Sequence, residues 1–432
     1  MIATATPRHE IPLNNPTIHR LPNGLTIIAE QIPVNAINLN LWLNVGSALE
    51  SDAINGMAHF LEHMIFKGTQ RLGSGEFEAK IEARGANTNA ATSQDYTHYY
   101  ITTAPQDFAD LAPFQLDVLM NPTIDHDSFQ RERQVVLEEI RRSDDNPRRR
   151  SYQHMVNLGF DALPYNRPVL GPASVIEQLQ PEQMLNFHRG WYHPDRITAV
   201  AVGNLPVEQL IATVERSCQQ ALGDRTLTAD PRHDRPPLRA ETPFTQVTRS
   251  HHIDPTLQQS RLMLMWRVPG LLDESDDTYA LDVLANLLSH GRTARLVQDL
   301  REKRQLVTGI SASNMTYQHQ GLFCLSANLP AENLETVETA LLEHLDRLQT
   351  DLVPQADLEK VATQVANQFV FSNETPSARA NLYGYYYALM GDLQPAFTYT
   401  DRLRALTPAD IRRIAQKYLN RQAYGAVTVT PA

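Results

Sequence analysis

The chain has 432 residues, with 38 Lys and Arg against 49 Asp and Glu, for a net charge of −11. That length asks for two domains rather than one core, and the acidic balance disfavours nucleic acid as a partner. There is no run of 18 apolar residues, so no membrane span is expected; Cys218 and Cys324 are the only cysteines, too few for a disulfide framework or a C-x-x-C knuckle, and read as small buried hydrophobes.

Residues 1–15 lack the basic-then-apolar order of a signal peptide and the Arg/Ser richness of a transit peptide, which predicts a cytoplasmic protein. Strands are predicted over 24–29 and 38–45. A helix follows over 56–67: Asn55 and Gly56 read as its start, Met57, Leu61, Met64 and Ile65 supply apolar positions, and Lys67-Gly68 supplies a basic last turn and a stop. Within it lies His59-Phe60-Leu61-Glu62-His63, an H-x-x-E-H pattern. At i and i+4 the two imidazoles share one helix face and can bind the same ion. Glu62, one residue before the second histidine, is close enough to take a proton from a water in that site without being a ligand.

Hydrolytic zinc normally keeps three protein ligands and an open position, so a third donor is required. After a strand over 96–103 and a helix over 105–119, the segment 126–142 offers it. Phe129, Val135, Val136 and Ile140 mark a helical face, Glu132 and Glu139 fall seven residues apart on nearly one side, and Glu138 points about 100° away from Glu139. Arg141, Arg142, Arg148, Arg149 and Arg150, mixed with Asp144 and Asp145, read as a solvated loop.

A helix over 181–190 and a buried strand over 198–202 align without gaps on 408–418 and 425–429, an offset of 227 residues that implies internal duplication. The proline-rich stretch 223–245, with Pro231, Pro236, Pro237 and Pro243, reads as a linker between domains at 1–222 and 246–432. With further helices over 276–289, 330–349 and 355–371, the expectation is an α+β fold: two homologous sandwich domains, each a mostly antiparallel sheet with helices over one side. His251, His252, His290 and His319 in the second half have no carboxylate at ligand spacing and read as ordinary surface or loop histidines. The net charge would favour basic peptides if acidic groups lined a chamber, but an acidic surface kept for solubility explains the same number and is the preferred reading.

With His59, Glu62, His63 and Glu139 in view, the chain resembles the pitrilysin-type metallopeptidases and, in length, their mitochondrial-processing-peptidase-like branch. The interval from His63 to Glu139 is 76 positions, as that family's pattern requires, and Glu132 matches its second glutamate. The runs from Arg20 to Leu25 and from Phe66 to Thr69, and Asn89-Ala90 followed by Thr92, Asp95, Thr97, Tyr99 and Tyr100, are also similar. The resemblance implies one zinc ion held by His59, His63 and Glu139, Glu62 as general base, Glu132 orienting a ligand histidine, and Asn89 facing a bound peptide. It also implies two like domains, only the first with zinc ligands, that in a dimer close round a chamber selecting short or unstructured peptides.

One departure bears on function. Members that work alone or as identical pairs carry an arginine followed seven positions later by a tyrosine, which grip the substrate carbonyl; here Arg301 is followed by Thr308. A missing oxyanion donor costs on the order of 3 kcal/mol of transition-state stabilisation. The expectation is therefore a zinc-bearing subunit of a heterodimer whose homologous, non-identical partner supplies the Arg/Tyr pair. Tyr317, or Arg379 with Tyr386, could instead supply the phenol. A non-catalytic scaffold subunit and a self-sufficient homodimer are the alternatives.

Overall fold

The computed structural model describes residues 14–223, 238–273 and 275–432. Residues 1–13, on which the expectation about a targeting segment falls, and Pro231, Pro236 and Pro237 of the predicted linker, lie outside the described residues.

Two sheets form from equivalent parts of the two halves. The first contains β1 (Thr17–Arg20), β2 (Thr26–Gln31), β3 (Ile37–Leu43), β4 (Asn87–Thr92), β5 (Thr97–Thr103) and β6 (Ile197–Gly203), in the order β1-β2-β6-β3-β5-β4. The second contains β7 (Thr248–Ile253), β8 (Ser260–Pro269), β9 (Gly309–Thr316), β10 (Gln320–Leu329) and β11 (Gly425–Thr430), in the order β7-β11-β8-β10-β9. Each is antiparallel except for one pair, β2 with β6 and β7 with β11. The 227-residue offset read from the sequence survives as register: Ala199 on β6 sits between Ile27 and Leu41, and Ala426 on β11 between Arg249 and Leu264. This is a duplicated two-domain α+β fold, with β1 as an addition to the first sheet.

Each sheet carries its own half's helices over one face, as expected, and its other face is covered as well. β3 and β6 are buried at every position, which demands cover on both faces. On one face, Ile27, Leu39 and Leu41 pack with Phe60, Leu116 and Val214 of the first half's own helices. On the other, Ile28, Trp42 and Val200 pack with Ala380, Tyr383 and Leu389 of the second half's helix Pro376–Met390. The contact is close enough that a Cβ on Gly384 would lie 2.1 Å from Trp42 Nε1. Reciprocally, Met155 and Val156 of the first half's helix Pro147–Gly159 pack with Met263, Cys324 and Val427 of the second sheet. The halves thus exchange helices.

The arginine-rich loop is a correction. Arg141 and Arg142 end the helix His126–Asp144, and Arg148, Arg149 and Arg150 begin Pro147–Gly159, where Asn146 caps the N-terminus by accepting from Arg148 N at 2.9 Å and Pro147 needs no donor. Arg150 is then drawn to Asp254 at 2.6 Å. The described end of the predicted linker is tied down as well: Glu241 accepts from the backbone N–H groups of Ala162 and Leu163, each at 2.9 Å, and pairs with Arg267 at 2.8 Å. Among the described residues no helix is long and apolar enough to cross a membrane, and Cys218 and Cys324 are free and buried.

Candidate metal centre

The H-x-x-E-H residues lie on the helix Met57–Ile65. Its start is built by Gly56, which adopts φ 95°, a left-handed conformation that glycine takes without strain, in a spot where a Cβ would meet Leu170 O at 2.6 Å. The orphan N–H groups of its first turn are met by Glu50, which accepts from Gly56 N and Ala58 N, each at 2.7 Å, and from Asn55 Nδ2 at 2.8 Å. Full burial pushes the Glu50 carboxyl up to about 7, and those donors only partly offset it. Phe60, Leu61 and Met64 lock the helix into the first core, leaving His59 and His63 on its other face.

The helix His126–Asp144 crosses this face. Its first turn is fixed by Asp125, which accepts from Ser128 N at 2.9 Å, and by Phe129, whose ring lies 4.6 Å from that of Phe60. The seven-residue spacing then brings Glu132 and Glu139 to the histidines. His59 Nε2 and His63 Nε2 each lie 3.5 Å from the same oxygen, Glu139 Oε2. These three residues are the only group of three or more His, Cys, Asp or Glu among the described residues whose donor atoms fall within 4.8 Å of one another. Tetrahedral zinc with bonds of 2.0–2.1 Å has ligand–ligand edges of about 3.3 Å, so the two observed edges suit an ion between them. Glu138, as its helical phase requires, turns out to Arg141 and Arg142.

The charge states fit the same purpose. Burial, with the neighbouring His63, lowers His59 to about 3, so its imidazole is neutral and ligand-ready. His63 is shifted the other way: burial would lower it, but Glu132 Oε2 at 3.4 Å from its Nδ1 and the surrounding carboxylates outweigh burial. The divergence has a structural cause, since His59 Nδ1 is buried with no hydrogen-bond partner among the described residues whereas His63 Nδ1 has Glu132. Glu132 is held in turn by Lys67 Nζ at 2.9 Å. Burial competes with these two partners and loses, so the Glu132 carboxyl sits below its usual range. Glu62 is raised by burial, offset in part by Thr92 Oγ1, which donates to its Oε2 at 2.5 Å.

His59, Glu62, Thr92 and Glu139 face a cleft of about 950 Å³ that Tyr152 and others also line. β4, the edge strand of its sheet, enters the cleft at Ala91 and Thr92. Asn89 is on β4, exposed, with its Oδ1 accepting from Ala90 N at 2.9 Å; it does not line the cleft. Arg301 is also absent from the cleft lining, and its guanidinium binds Glu302 at 2.8 Å. Thr308 Oγ1 donates to Gln259 Oε1 at 2.5 Å. Neither rival phenol source reaches the cleft wall: Tyr317 is hydrogen-bonded to Tyr152 at 2.7 Å, Arg379 binds Glu30 at 3.4 Å, and Tyr386 is buried against the first sheet. Of the second-half histidines, His252 stacks on His154 with centroids 3.6 Å apart.

Residues 26–173 match the family described as Insulinase (Peptidase family M16), and residues 178–365 match Peptidase M16 inactive domain. An uncharacterized zinc protease of Streptomyces coelicolor is 27% identical over 403 residues, covering 93% of this chain and 87% of the relative. The chain belongs to the pitrilysin-type M16 peptidase family. Another M16 relative, the probable mitochondrial-processing peptidase subunit beta of Arabidopsis thaliana, is 26% identical over 425 residues, covering 96% of this chain and 78% of the relative. A solved protease from Helicobacter pylori matches with a TM-score of 0.87 and 25% identity, covering 96% of this chain and 99% of that one.

Three contributors to this M16 site were not picked out by spacing alone. Glu50 caps the motif helix from a 3₁₀ turn nine residues ahead of His59, a placement no local pattern announces. Thr92 and Lys67 stood inside runs noted for family likeness, Thr92 with no role attached and Lys67 read only as the basic last turn of the motif helix.

Proposed function

We propose that the chain is a zinc-dependent endopeptidase acting on short or unstructured peptides, with one zinc held by His59, His63 and Glu139 and with Glu62 as general base. The observation that carries this is the convergence of the His59, His63 and Glu139 donor atoms beside a cleft whose wall includes His59, Glu139 and Glu62. Bound zinc would supply Lewis acidity and lower the pKa of water. Glu62, held by Thr92, takes the water proton and returns it to the leaving amine. Glu132 fixes the tautomer and ring angle of His63, and Lys67 keeps Glu132 ionised. A peptide would add as a strand to the edge of β4, which passes Asn89 and reaches the cleft at Ala91 and Thr92.

The proposal includes a heterodimer that encloses a chamber, with a homologous partner supplying the Arg/Tyr pair, and a cytoplasmic setting. It is motivated by Thr308 and by Arg301, whose guanidinium is spent on Glu302. The domain limits 1–222 and 246–432 remain part of the same reading. The test is cleavage of an unstructured peptide by the chain alone, by the complex co-purified from its native cell, and by each with chelator. Chelator-sensitive activity that rises sharply with the partner is expected; full activity of the lone chain contradicts the heterodimer, and no activity in any arm contradicts the peptidase.

The second reading, a scaffold subunit, is favoured by one observation, the match of residues 178–365 to a domain described as inactive. It predicts a chain that purifies without zinc.

A further inference from the structure

The cleft beside the three donors has the opposite charge to the chain as a whole. Against a net charge of −11, its ionic lining apart from Glu62 and Glu139 is Arg142, Arg148 and Arg149. Arg148 and Tyr152 also line an adjoining pocket of about 280 Å³, floored by Met155, Met263 and Met315, whose other charged group is Arg261 and which has no carboxylate in its wall.

These arginines differ in what they are spent on. Arg142 is paired with Glu138 at 3.2 Å, and Arg150, one turn-position on, is taken by Asp254. Arg148 and Arg149 have no carboxylate partner among the described residues, and neither does Arg261, although 49 carboxylates were available to the chain. Arg261 is half-buried, and only its Nη1 is engaged, donating to Pro147 O at 2.7 Å and Ser151 Oγ at 2.9 Å. Among the described residues its Nε and Nη2 have no acceptor. A half-buried guanidinium near a second, exposed one gains from an anion that joins them, and its planar fork suits a carboxylate. The nearby acidic group, Asp254, is already consumed by Arg150 and Thr256.

We propose that Arg148, Arg149 and Arg261 form a carboxylate subsite for the peptide, taking either an acidic side chain or the free C-terminus of a substrate that runs from the zinc cleft into the methionine-floored pocket. The subsite makes the enzyme selective for acidic over basic peptides. This rests on the peptidase reading and gives it a substrate class, opposite to the basic peptides that an acid-lined chamber would favour.

The test is equilibrium binding by the full-length Glu62→Gln chain, with chelator present, of three coumarin-labelled alanine-glycine decapeptides: one with an internal aspartate and an amidated C-terminus, one without acidic side chains but with a free C-terminus, and one with an internal lysine and an amidated C-terminus. One of the first two is expected to bind about tenfold more tightly than the third, and which one does so names the source of the carboxylate. Equal binding, or tightest binding of the lysine peptide, overturns the proposal. The double variant Arg148→Glu, Arg149→Glu should reverse the order; should it not fold, Arg261→Gln should narrow the gap, and an unchanged gap in a folded variant also overturns it. Because no hydrolysis is read, a failed peptidase assay leaves these outcomes independent.

Discussion

His63 turns its two ring nitrogens to two glutamates of one helix: Nδ1 lies 3.4 Å from Glu132 Oε2 and Nε2 lies 3.5 Å from Glu139 Oε2. The seven-residue spacing of those glutamates makes this possible, since two helical turns carry one carboxylate to each edge of the same imidazole. Glu132 fixes the ring and Glu139 shares the proposed ion.

Glu139→Gln removes the charged donor while keeping its volume. Metal analysis should find about one zinc per wild-type chain and far less in the variant, and zinc should raise the melting temperature of the wild type alone. Equal zinc in both would remove Glu139 from the ligand set.

Glu132→Gln should keep the zinc but loosen it. Outer-sphere partners of this kind are worth about 10–100-fold in metal affinity, and the change also strands Lys67. Competition with a chelator of known affinity reads the difference, and an affinity equal to wild type would assign Glu132 to structure only.

Glu62→Gln should bind zinc like the wild type and lose at least about 10²–10⁴-fold in kcat. The assay uses the co-purified complex, so that a missing partner does not mask the loss. Retained activity would require another base.

Gly384→Ala tests the helix exchange. With the Trp42 indole 2.1 Å from the new Cβ, the helix Pro376–Met390 must shift, at a cost on the order of 3 kcal/mol by overpacking. Urea unfolding of the variant should display that loss; an unaltered midpoint would mean the helix is not seated against the sheet.

Glu50 makes stability depend on pH. Its carboxyl is raised from 4.5 to about 7 in the folded chain by burial, so the native state binds the extra proton. The stabilisation is fully present below about pH 4.5 and is lost as pH rises through 7, with an upper bound on the order of 3 kcal/mol. Glu50→Gln cannot titrate, so relative to wild type it should gain stability between pH 5 and 8 in parallel denaturant titrations. A pH-independent difference would contradict the burial argument.

Much of the site was legible because it is local. H-x-x-E-H and the Glu132/Glu139 spacing are helix periodicities, and both helices formed where the apolar positions of Met57, Leu61, Phe129 and Val136 put them. The duplication was legible because β6 and β11 carry the same short apolar run. What was hidden is long-range. The cover of Trp42 by Gly384 and the pairing of Arg150 with Asp254 join residues whose own neighbourhoods are ordinary. The arginine-rich stretch reads as loop because its charge density resembles solvated chain, whereas Asn146 and Pro147 begin a helix whose apolar side is buried by the other half.

The central claim is that one ion joins Glu139 to His59 and His63. Anomalous diffraction at the zinc edge from zinc-soaked crystals tests it most directly. The account predicts a single peak within about 2.0–2.2 Å of His59 Nε2, His63 Nε2 and a Glu139 carboxylate oxygen. A peak bound elsewhere, or none at this trio at saturating zinc, would contradict it.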